Sequence, residues 1–489
     1  ANTRHTANCI LCWYKSKGAE RIHFQYIIAN LYLMLCFPFV KDTKASLQYL
    51  RRIRRWRFIF LFLSINLALS MLLTYIFIMG SYVSLIKRKV AVPYNEDHLI
   101  QSSNWTQHYQ DESTEVFVFS TFLDHRLPRS SKIRVVTLVA GNYSGLYCIA
   151  YTKNFSRKLP LEFIELNFYE VQYTSLLITC DYDPNWEAPE YVKIVGQNYT
   201  LQQNNTGRTK VTMPRKRQKH MAASIANCYQ PFHGKNQRIY HIYFHIELMK
   251  LFGFDKFIIY YDKDIVSSQA NALLDYYIDE GTVIPVPWKL FYHPQHIKDK
   301  INVWGQFNQV ADCTLRFMND FDYIFNLDFD EFAIPKDLRS WKEVLDEIWA
   351  EERSLSHLML SNICILPSKM EAKSEEDFLD QFIGNGVFYS RPRSGNYIDK
   401  WVCMPDRIIW PYVHEILETF PGFQGFRMDE DLGHKYHLKD KENHGVSYCP
   451  RTAKVHTSWI NAVKLLKPGF YNLCRKLLRN NSDCGILFP

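Results

Sequence analysis

A long uncharged stretch near the N-terminus limits how this chain can fold. From Phe58 to Gly80, 23 residues contain no charged side chain and only one strongly polar one, Asn66. A helix of about 20 apolar residues spans the hydrocarbon core of a bilayer. A buried helix in a soluble domain is usually shorter or has a polar face, and the stretch lies too far from residue 1 for an ordinary signal peptide. The sequence therefore predicts a transmembrane helix over 58–80.

Flanking charges and glycosylation sequons predict the orientation of this helix. Five arginines lie within 51–57 and three basic residues lie at 87–89, so the larger upstream excess favours a cytosolic N-terminus. All the Asn-x-Ser/Thr sequons lie downstream, which favours a lumenal C-terminal part. They begin at Asn104, Asn142, Asn154, Asn198, Asn204 and Asn480. A second apolar run, 24–40, contains polar residues and a proline; it is a second membrane segment, an interfacial helix or the product of an imperfect gene model.

The composition of the chain is that of a globular protein. Apolar residues make up 47% and charged residues 22%, which excludes a wholly disordered or collagen-like chain. The net charge of +8 is small for 489 residues, so we expect no nucleic-acid partner. The predicted partners are a lipid bilayer, through 58–80, and the ligands of a lumenal domain.

Changes in residue pattern divide the chain into segments. Short runs rich in β-branched and aromatic residues at 116–119, 133–139 and 146–151 predict strands, and the polar stretch 197–220 predicts a linker. The predicted segments are a cytosolic region (1–57), the transmembrane helix (58–80), a stem (81–114), a β-rich lumenal region with a linker (115–215) and an α/β domain (216–489).

Helix and strand patterns alternate in the last of these segments. Helical periodicity marks three stretches, and short apolar runs typical of buried strands lie between them. The helical stretches are 239–250, 270–278 and 304–318, and the strand runs are 257–261, 282–286 and 323–327. This alternation predicts a mostly parallel sheet covered by helices, with a ligand site beyond the carboxyl ends of the strands.

An acidic pair follows the last of these strands. Because side chains two apart on an extended chain point the same way, Asp328 and Asp330 are expected to converge while Phe329 faces the core. Two close carboxylates repel each other unless a cation or proton lies between them, and oxygen ligands suit Mg²⁺ or Mn²⁺ bridging to substrate phosphates. The pattern predicts a metal-dependent site for a nucleotide sugar. Asp262, which ends another strand, is a candidate for binding its uridine or ribose.

An ordered set of motifs between 116 and 470 resembles glycosyltransferase family 92, formerly a domain of unknown function numbered 23. The motifs are Ser120-x-x-x-Asp124-x-Arg126, Cys228-x-x-Pro231-x-x-Gly234, the strand 257–262, Gln309-x-x-Asp312-Cys313-x-x-Arg316, Asp328-Phe329-Asp330-Glu331-Phe332-x-x-Pro335, Lys400-x-x-x-x-Pro405, Val413-His414 and Tyr436-His437-Leu438-Lys439. The last motif departs from the usual His-Tyr-Arg of the family, having Leu438 and Lys439 after His437.

The resemblance implies a GT-A fold, type II topology in the Golgi membrane and a divalent metal, Mn²⁺ or Mg²⁺. Known members resemble galactosyltransferases that use UDP-galactose and form β-linkages on glycans, including fucose on an N-glycan core. Inversion at the sugar needs a base, and a carboxylate is the usual choice. The base is left unassigned among Glu376, Asp377, Asp399, Asp429, Glu430 and Asp431.

The resemblance also suggests roles at the donor site. Asp330 would bind the metal directly, Asp328 would reach it through water or hold the ribose, and His437 would be a further ligand, with His414 and His434 as alternatives. Arg316 and Lys400 are candidates for the phosphates, although each could instead form a structural ion pair. Two tryptophans, Trp304 and Trp401, could stack on a sugar, but helix or core positions are the more ordinary reading.

Cysteines and two competing functions complete the expectations. Nine cysteines follow the membrane segment, so at least one is not paired within the chain, and Cys148 with Cys180 is the expected disulfide of the β-rich region. One competing function is a catalytically inactive glycan-binding membrane protein. The other is a metal-dependent hydrolase, which would need a denser cluster of ligands than the sequence offers.

Overall fold

A computed structural model describes most of the chain downstream of residue 103. The described residues are Ser70, 104–127, 130–166, 171–199, 207–213, 225–232, 239–291, 300–367, 387–389, 399–438 and 458–465. All except Ser70 belong to one compact unit, Pro93–Pro489. Apart from Ser70, the predicted helix at 58–80 and the run at 24–40 lie outside them. Within the described ranges, no helix has the length and apolar character needed to span a membrane.

The first part of this unit is β-rich, as predicted. Its strands are β1 (Thr106–Gln110), β2 (Thr114–Asp124), β3 (Ser131–Gly141), β4 (Tyr147–Tyr151), β5 (Ser156–Leu159), β6 (Leu161–Leu166), β7 (Thr174–Tyr182), β8 (Tyr191–Val195) and β9 (Thr209–Thr212). They form a nine-stranded sheet in the order β5–β4–β8–β9–β2–β3–β7–β6, with β1 also paired to β2. The pairings are antiparallel except that of β2 with β9.

Two of these strands lie where the sequence predicted irregular chain. β1 lies within the predicted stem, and β9 lies within the predicted linker at 197–220. Both are short and half polar, so neither shows a clear alternation of apolar and polar residues. β1 pairs with β2, and β9 pairs with both β2 and β8, so these strands depend on pairing with other segments rather than on local pattern.

The second part of the unit alternates helices and strands. Its elements are β10 (Ile225–Tyr229), α1 (Ile239–Leu251), β11 (Lys256–Tyr261), α2 (Ser268–Asp279), β12 (Val283–Pro287), α3 (Gln306–Arg316), β13 (Tyr323–Phe325), β14 (Glu331–Pro335), α4 (Trp341–Glu351), β15 (Leu355–Leu360), β16 (Asn362–Pro367), β17 (Val387–Tyr389), β18 (Lys400–Cys403), β19 (Ile408–Pro411), β20 (Ile416–Thr419), β21 (Gln424–Arg427) and β22 (Gly433–Leu438). The three helices and three strands predicted upstream of the acidic pair are confirmed, although β13 ends at Phe325.

The largest sheet of this part has the order β12–β11–β10–β13–β18–β15–β21. β12, β11, β10 and β13 are parallel neighbours, β18 is antiparallel to the strands on both its sides, and β15 and β21 are parallel. A four-stranded sheet, β14–β22–β16–β17, and the pair β19–β20 complete the part. The α/β class is confirmed, with mixed sheets rather than a uniformly parallel one.

Local sequence explains where several of these helices begin and end. The Ser267 side chain accepts a hydrogen bond from the Ala270 amide, 3.2 Å away, and caps α2. Gly253 follows α1 with φ of 86°, a conformation that glycine adopts without steric cost. The predicted helix at 304–318 begins later than expected, because Val303 and Trp304 lie in a left-handed turn before α3.

The two parts share a core around α3. Asn308 in this helix donates to Thr137 O at 2.8 Å, and its side-chain oxygen accepts from Ser175 at 2.7 Å. Both partners belong to the nine-stranded sheet. Apolar residues of β2, β3 and β7 pack with α3 and β10 in one cluster. The predicted boundary at 215/216 itself falls among residues that the structure does not describe, and it stays a prediction.

Disulfide bonds include five of the six cysteines that the structure describes. The predicted disulfide between Cys148 and Cys180 is confirmed, and Cys228 pairs with Cys313. Cys364 is also disulfide-bonded, and Cys403 is a buried thiol. The Cys228–Cys313 bond joins β10 to α3, next to the sheet edge where the acidic pair lies.

Candidate active site

The carboxyl ends of β10, β11, β12 and β13 lie side by side at one end of the seven-stranded sheet, called its carboxyl edge below. Asp328 lies three residues beyond β13, and Asp262 follows β11. β11 and β13 are separated by β10, so these strand ends are about 10 Å apart at 4.7–4.9 Å per strand. Asn227 of β10 fixes the backbone of Leu327, the residue before Asp328. Its side chain donates to Leu327 O at 3.1 Å and accepts from Leu327 N at 2.9 Å.

The acidic segment itself is a tight turn rather than an extended strand. The Glu331 amide donates to Asp328 O at 3.0 Å, and the Asp328 amide donates to the Glu331 carboxylate at 3.0 Å. The sequence explained the convergence of Asp328 and Asp330 by side-chain alternation along an extended chain. This explanation is wrong, because the segment is a turn. Phe329 does pack inward, stacking on Tyr229 with ring centroids 3.8 Å apart.

The next residues place three side chains on one face of the β14–β22 pair. Glu331 lies opposite His437, and Lys435 lies two residues before His437 on the same face. Lys435 Nζ is 2.6 Å from Glu331 Oε1. His437 Nδ1 lies 3.6 Å from the same oxygen, and its Nε2 lies 3.1 Å from Asp330 Oδ2. The antiparallel register thus brings His437 to Asp330 across 107 residues of sequence.

A second lysine reaches the cluster from β18. Lys400 Nζ is 3.1 Å from Asp328 Oδ2 and 3.6 Å from Glu331 Oε2. The other oxygen of Asp328, Oδ1, is shielded from solvent and has no hydrogen-bond partner in the described part of the chain. Among the described residues, three carboxylates and two lysines therefore meet here, which together carry one formal negative charge when His437 is neutral.

The charges in this cluster shift one another. Desolvation raises the pKa of Asp328, aided by Glu331 and Asp330 and opposed by Lys400. Burial also disfavours ionised Glu331, yet the two lysines hold the pKa of its carboxyl well below the usual range. Desolvation lowers the pKa of Lys435 in spite of its bond to Glu331. Glu331 is thus the ionised centre of the cluster. For Asp328, the nearby positive charge of Lys400 does not offset the effect of burial and of the neighbouring acids.

A buried histidine in α1 forms a hydrogen bond to the backbone of the turn. His245 in α1 lies between Tyr229, whose hydroxyl is 2.6 Å from Nδ1, and Glu331 O, which is 2.7 Å from Nε2. Because a carbonyl only accepts, Nε2 carries the proton and Tyr229 donates to Nδ1. Desolvation lowers the pKa of His245 to about 3, so the ring is neutral at physiological pH.

Comparison with protein families agrees with this arrangement. The model of glycosyltransferase family 92 matches residues 223–472, which is more than half of the chain. The chain belongs to glycosyltransferase family 92. Membership indicates that the protein is a glycosyltransferase, with a nucleotide-sugar donor and a glycan acceptor. No curated protein matches the chain.

The family 92 match begins after the β-rich part, although the motif resemblance started at 116. The motif Ser120–Arg126 lies outside the match. In the structure Asp124 pairs with Arg126, whose guanidinium also donates to Pro405 O at 2.7 Å and Ile408 O at 2.6 Å. The motif therefore joins the nine-stranded sheet to the family 92 region and does not reach the acidic turn.

Not every predicted donor residue lies in the cluster. Asp328, Asp330, Lys400 and His437 come together, and Asp262 lies on the same sheet edge, where it accepts from the Asp264 amide at 3.0 Å. Arg316 forms a buried bidentate ion pair with Asp312 at 2.8 Å. This is the structural ion pair that the sequence left open.

The predicted tryptophans have different environments. Trp401 is fully buried and donates its indole N–H to Tyr412 O at 2.6 Å, so it is a core residue and has no face for a sugar. Trp304 is partly exposed and lies in the left-handed turn before α3, where Trp288 donates to its carbonyl oxygen.

The candidate metal ligands form a pair rather than a closed cluster. In the ranges that the structure describes, no three His, Cys, Asp or Glu side chains are arranged to hold a metal ion. Asp330 and His437 are the pair, and the alternative His414 donates from Nδ1 to Asp399 O at 3.0 Å. Burial lowers the pKa of His414 to about 4, which keeps it neutral. His434 of β22 lies three residues before His437.

The candidate bases are only partly described. Asp429, Glu430 and Asp431 are exposed. Asp399 is buried and pairs with Arg427 at 2.8 Å. Glu376 and Asp377 lie outside the described residues.

Sequence reasoning missed Glu331, Lys435 and His245. Glu331 was part of the quoted motif without a role, because an acid beside an acidic pair resembles a solvated residue. A signal for Lys435 existed in the spacing of Lys435 and His437, which places both on one face of a strand. Nothing local identifies His245, since its two partners lie 16 and 86 residues away.

Proposed function

We propose that this protein is a metal-dependent, inverting glycosyltransferase of the Golgi membrane that moves galactose from UDP-galactose to a hydroxyl of a glycan acceptor, including glycans carried by glycoproteins. The observation that carries the proposal is the acidic turn at the carboxyl edge of the four parallel strands, with His437 beside Asp330. Nucleotides bind at this edge in open α/β sheets. A GT-A type of fold is part of the proposal, supported by the parallel neighbours β10–β13.

The spacing of Asp330 and His437 fits a divalent ion such as Mn²⁺ or Mg²⁺. Two ligands at about 2.1 Å in adjacent octahedral positions are about 3 Å apart, and Asp330 Oδ2 and His437 Nε2 are 3.1 Å apart. Such ions commonly take one or two protein ligands and fill the other positions with phosphate oxygens and water. When bound, the ion would neutralise the diphosphate leaving group.

Asp328 and Lys400 have a different proposed role. Oδ1 of Asp328 is shielded and without a partner in the described part of the chain, so a ribose hydroxyl or a metal-bound water would satisfy it. Lys400 is buried and holds Oδ2 of the same carboxylate. It therefore orients Asp328 for the donor rather than reaching the phosphates in this conformation. Asp262, which follows β11 next to β10, would meet the uridine end of the donor.

The acceptor hydroxyl must lose a proton as the β-linkage forms, and a carboxylate would take it. The base stays unassigned. Asp399 is the buried one among the described candidates, and Arg427 keeps a positive charge beside it. Glycan acceptors reach such sites in the secretory lumen, which agrees with the four described sequon asparagines being exposed, at Asn104, Asn142, Asn154 and Asn198.

A screen with purified full chain tests the proposed chemistry. UDP-galactose and other UDP-sugars are supplied with Mn²⁺ and a panel of glycan acceptors, and release of UDP and the mass of the product are measured. We expect transfer of a hexose from UDP-galactose, abolished by a chelator and restored by Mn²⁺. Thermal protection by glycans, without UDP release from any UDP-sugar, would instead favour a catalytically inactive glycan-binding protein.

A separate measurement tests location and topology. Digestion of the expressed protein with an endoglycosidase should lower its apparent mass, and Asn→Gln changes at the sequons should each remove part of that shift. Protein in secretory membranes that carries no glycan would contradict a lumenal C-terminal part.

A further inference from the structure

The outer side of strand β14 has no neighbouring strand in the described part of the sheet. β14 lies at one edge of the four-stranded sheet, and its inner side pairs with β22. Backbone carbonyls on the outer side of an edge strand need partners from elsewhere. Two side chains supply them: His245 Nε2 for Glu331 O at 2.7 Å, and the Trp341 indole for Ala333 O at 3.0 Å.

We propose that Tyr229 and His245 form a positioning relay for the acidic turn. Tyr229 donates to His245 Nδ1, and His245 in turn donates from Nε2 to Glu331 O. The relay fixes the peptide group between Glu331 and Phe332, directly after Asp330. The inference deepens the proposed function and rests on it, because the relay matters for the reaction only if Asp330 binds the metal.

The contacts around the turn show what His245 adds. Asp328 O is held by the Glu331 amide at 3.0 Å, and Asp330 O is held by the Leu438 amide at 2.7 Å. Glu331 O is the next carbonyl along the chain after Asp330 O, and its partner comes from α1 rather than from β22. Without this bond the start of β14 would be held from one side only, and Asp330 could move away from His437.

The rings around His245 leave it little freedom. Tyr229 lies edge-on to the imidazole at 5.3 Å, and Phe329 lies edge-on at 5.8 Å while stacking on Tyr229. His245 is fully buried, so water cannot replace it as the donor. Tyr229 and His245 therefore fix both the backbone of the turn and the ring of Phe329, which lies between Asp328 and Asp330.

Four variants of the full chain test the relay. His245→Leu removes the donor, whereas His245→Gln places an amide N–H near the position of Nε2. Tyr229→Phe removes the hydroxyl and keeps the stacked ring. His108→Leu is the matched control, because His108 is also a fully buried histidine with two hydrogen bonds, to Thr209 and to the Ile194 amide, in the nine-stranded sheet.

Hydrogen exchange of the peptide 325–335 is the first readout, and Mn²⁺ affinity in the presence of UDP is the second. We expect His245→Leu to speed exchange of this peptide by about 10-fold or more and to weaken Mn²⁺ binding by about 10–100-fold, as loss of a residue that orients a metal ligand does. His245→Gln should recover most of both, and Tyr229→Phe should give a smaller change. His108→Leu should speed exchange only near β8 and β9.

Two results would overturn the relay: unchanged exchange of 325–335 in His245→Leu, or equal changes in His245→Leu and His245→Gln. If His245→Leu does not fold, His245→Asn replaces it, because the shorter amide cannot reach Glu331 O; equal exchange in the Asn and Gln variants then counts against the relay. Failure of the proposed function would be seen as an absence of sugar transfer by the wild-type chain. Hydrogen exchange of 325–335 would still test the relay in that case, because it does not depend on transfer.

Discussion

Two acids of this protein, one in each part of the unit, bind their neighbours differently. Asp124 in the nine-stranded sheet has both carboxylate oxygens bonded, by Arg126 on each oxygen and by Arg134 on Oδ2. Although burial opposes its charge, these arginines hold the pKa of Asp124 at about 2. Asp328 in the family 92 region has one lysine on Oδ2, a shielded Oδ1 without a partner in the described ranges, and a raised pKa.

This difference is what we expect between an acid that stabilises the fold and one that binds a ligand, the role proposed for Asp328. Arg126 and Arg134 bond to both oxygens of Asp124, and Arg126 also joins the nine-stranded sheet to Pro405 O and Ile408 O. Around Asp328, the described residues include two lysines for three carboxylates. A raised pKa and a shielded oxygen that lacks a described partner are the expected properties of an acid in a donor or metal site, as we propose.

The largest expected effect is on activity, from Asp330→Asn. Removing one ligand of the proposed metal should cost several kcal/mol of transition-state stabilisation, or about 1,000-fold in kcat/KM. Thermal unfolding should change little, because the substitution relieves repulsion among the acids. Asp181→Asn, at an exposed acid of β7, is the control and should leave transfer unchanged. Full transfer by Asp330→Asn would show that the acidic turn does not need Asp330 as a metal ligand, and the comparison with Asp124 would then lose its functional meaning.

The next effect compares the two disulfides by chain entropy. Cys228–Cys313 closes 85 residues and Cys148–Cys180 closes 32. Loop-closure entropy assigns them about 4.6 and about 3.7 kcal/mol respectively. Paired Cys→Ala variants in denaturant titrations should therefore show a loss about 1 kcal/mol larger for the family 92 region. The reverse order would show that the unfolded β-rich region keeps structure of its own.

A third prediction contrasts a buried ion pair with an exposed one. Lys435→Met leaves Glu331 buried with weaker compensation and should destabilise the protein by about 3 kcal/mol. Lys132→Met breaks a half-exposed pair with Asp181 in the nine-stranded sheet and should cost less than about 1 kcal/mol. Urea titrations of both variants provide the measurement. Similar losses would mean that the cluster around Glu331 is already open to solvent.

The smallest effect concerns pH, and here the two parts should behave alike. Desolvation lowers the pKa of His108 to about 3, as it does for His245, whereas an unfolded histidine titrates near 6.5. Between these values the unfolded chain binds more protons, so stability falls as the pH is lowered. From pH 7 to 5 each histidine should account for about 2 kcal/mol of this loss.

His108→Gln provides the check on this pH effect. Denaturant titrations at pH 7 and pH 5 should show a difference about 2 kcal/mol smaller in the variant than in the wild type. An unchanged difference would mean that His108 is protonated in the folded protein and that its burial is not maintained in solution.

Much of the fold could be read from local pattern. The helix stripe at 239–250, the strand at 257–261 and the strand runs at 116–119 and 133–139 all lie in elements of the expected type. These segments are strongly periodic or continuously apolar, so short-range sequence is enough. β9 was missed because four residues show no period, and the helix expected from Trp304 begins at Gln306 because a left-handed turn interrupts it.

The sequence by itself determined the acidic pair after an apolar strand and the β-rich region that holds Cys148 and Cys180, since each depends on residue type and local order. The family resemblance, rather than residue order alone, favoured His437 as the histidine that could join the pair. Only the tertiary structure decided that Lys400 and Lys435 surround Glu331, that Arg316 is engaged by Asp312 and that His245 holds the turn. The pairs of Glu331 with Lys435, and of His245 with Glu331, span 104 and 86 residues. The register of β14 against β22 and the packing of α1 on β14 set these contacts, and neither leaves a periodic trace in the chain.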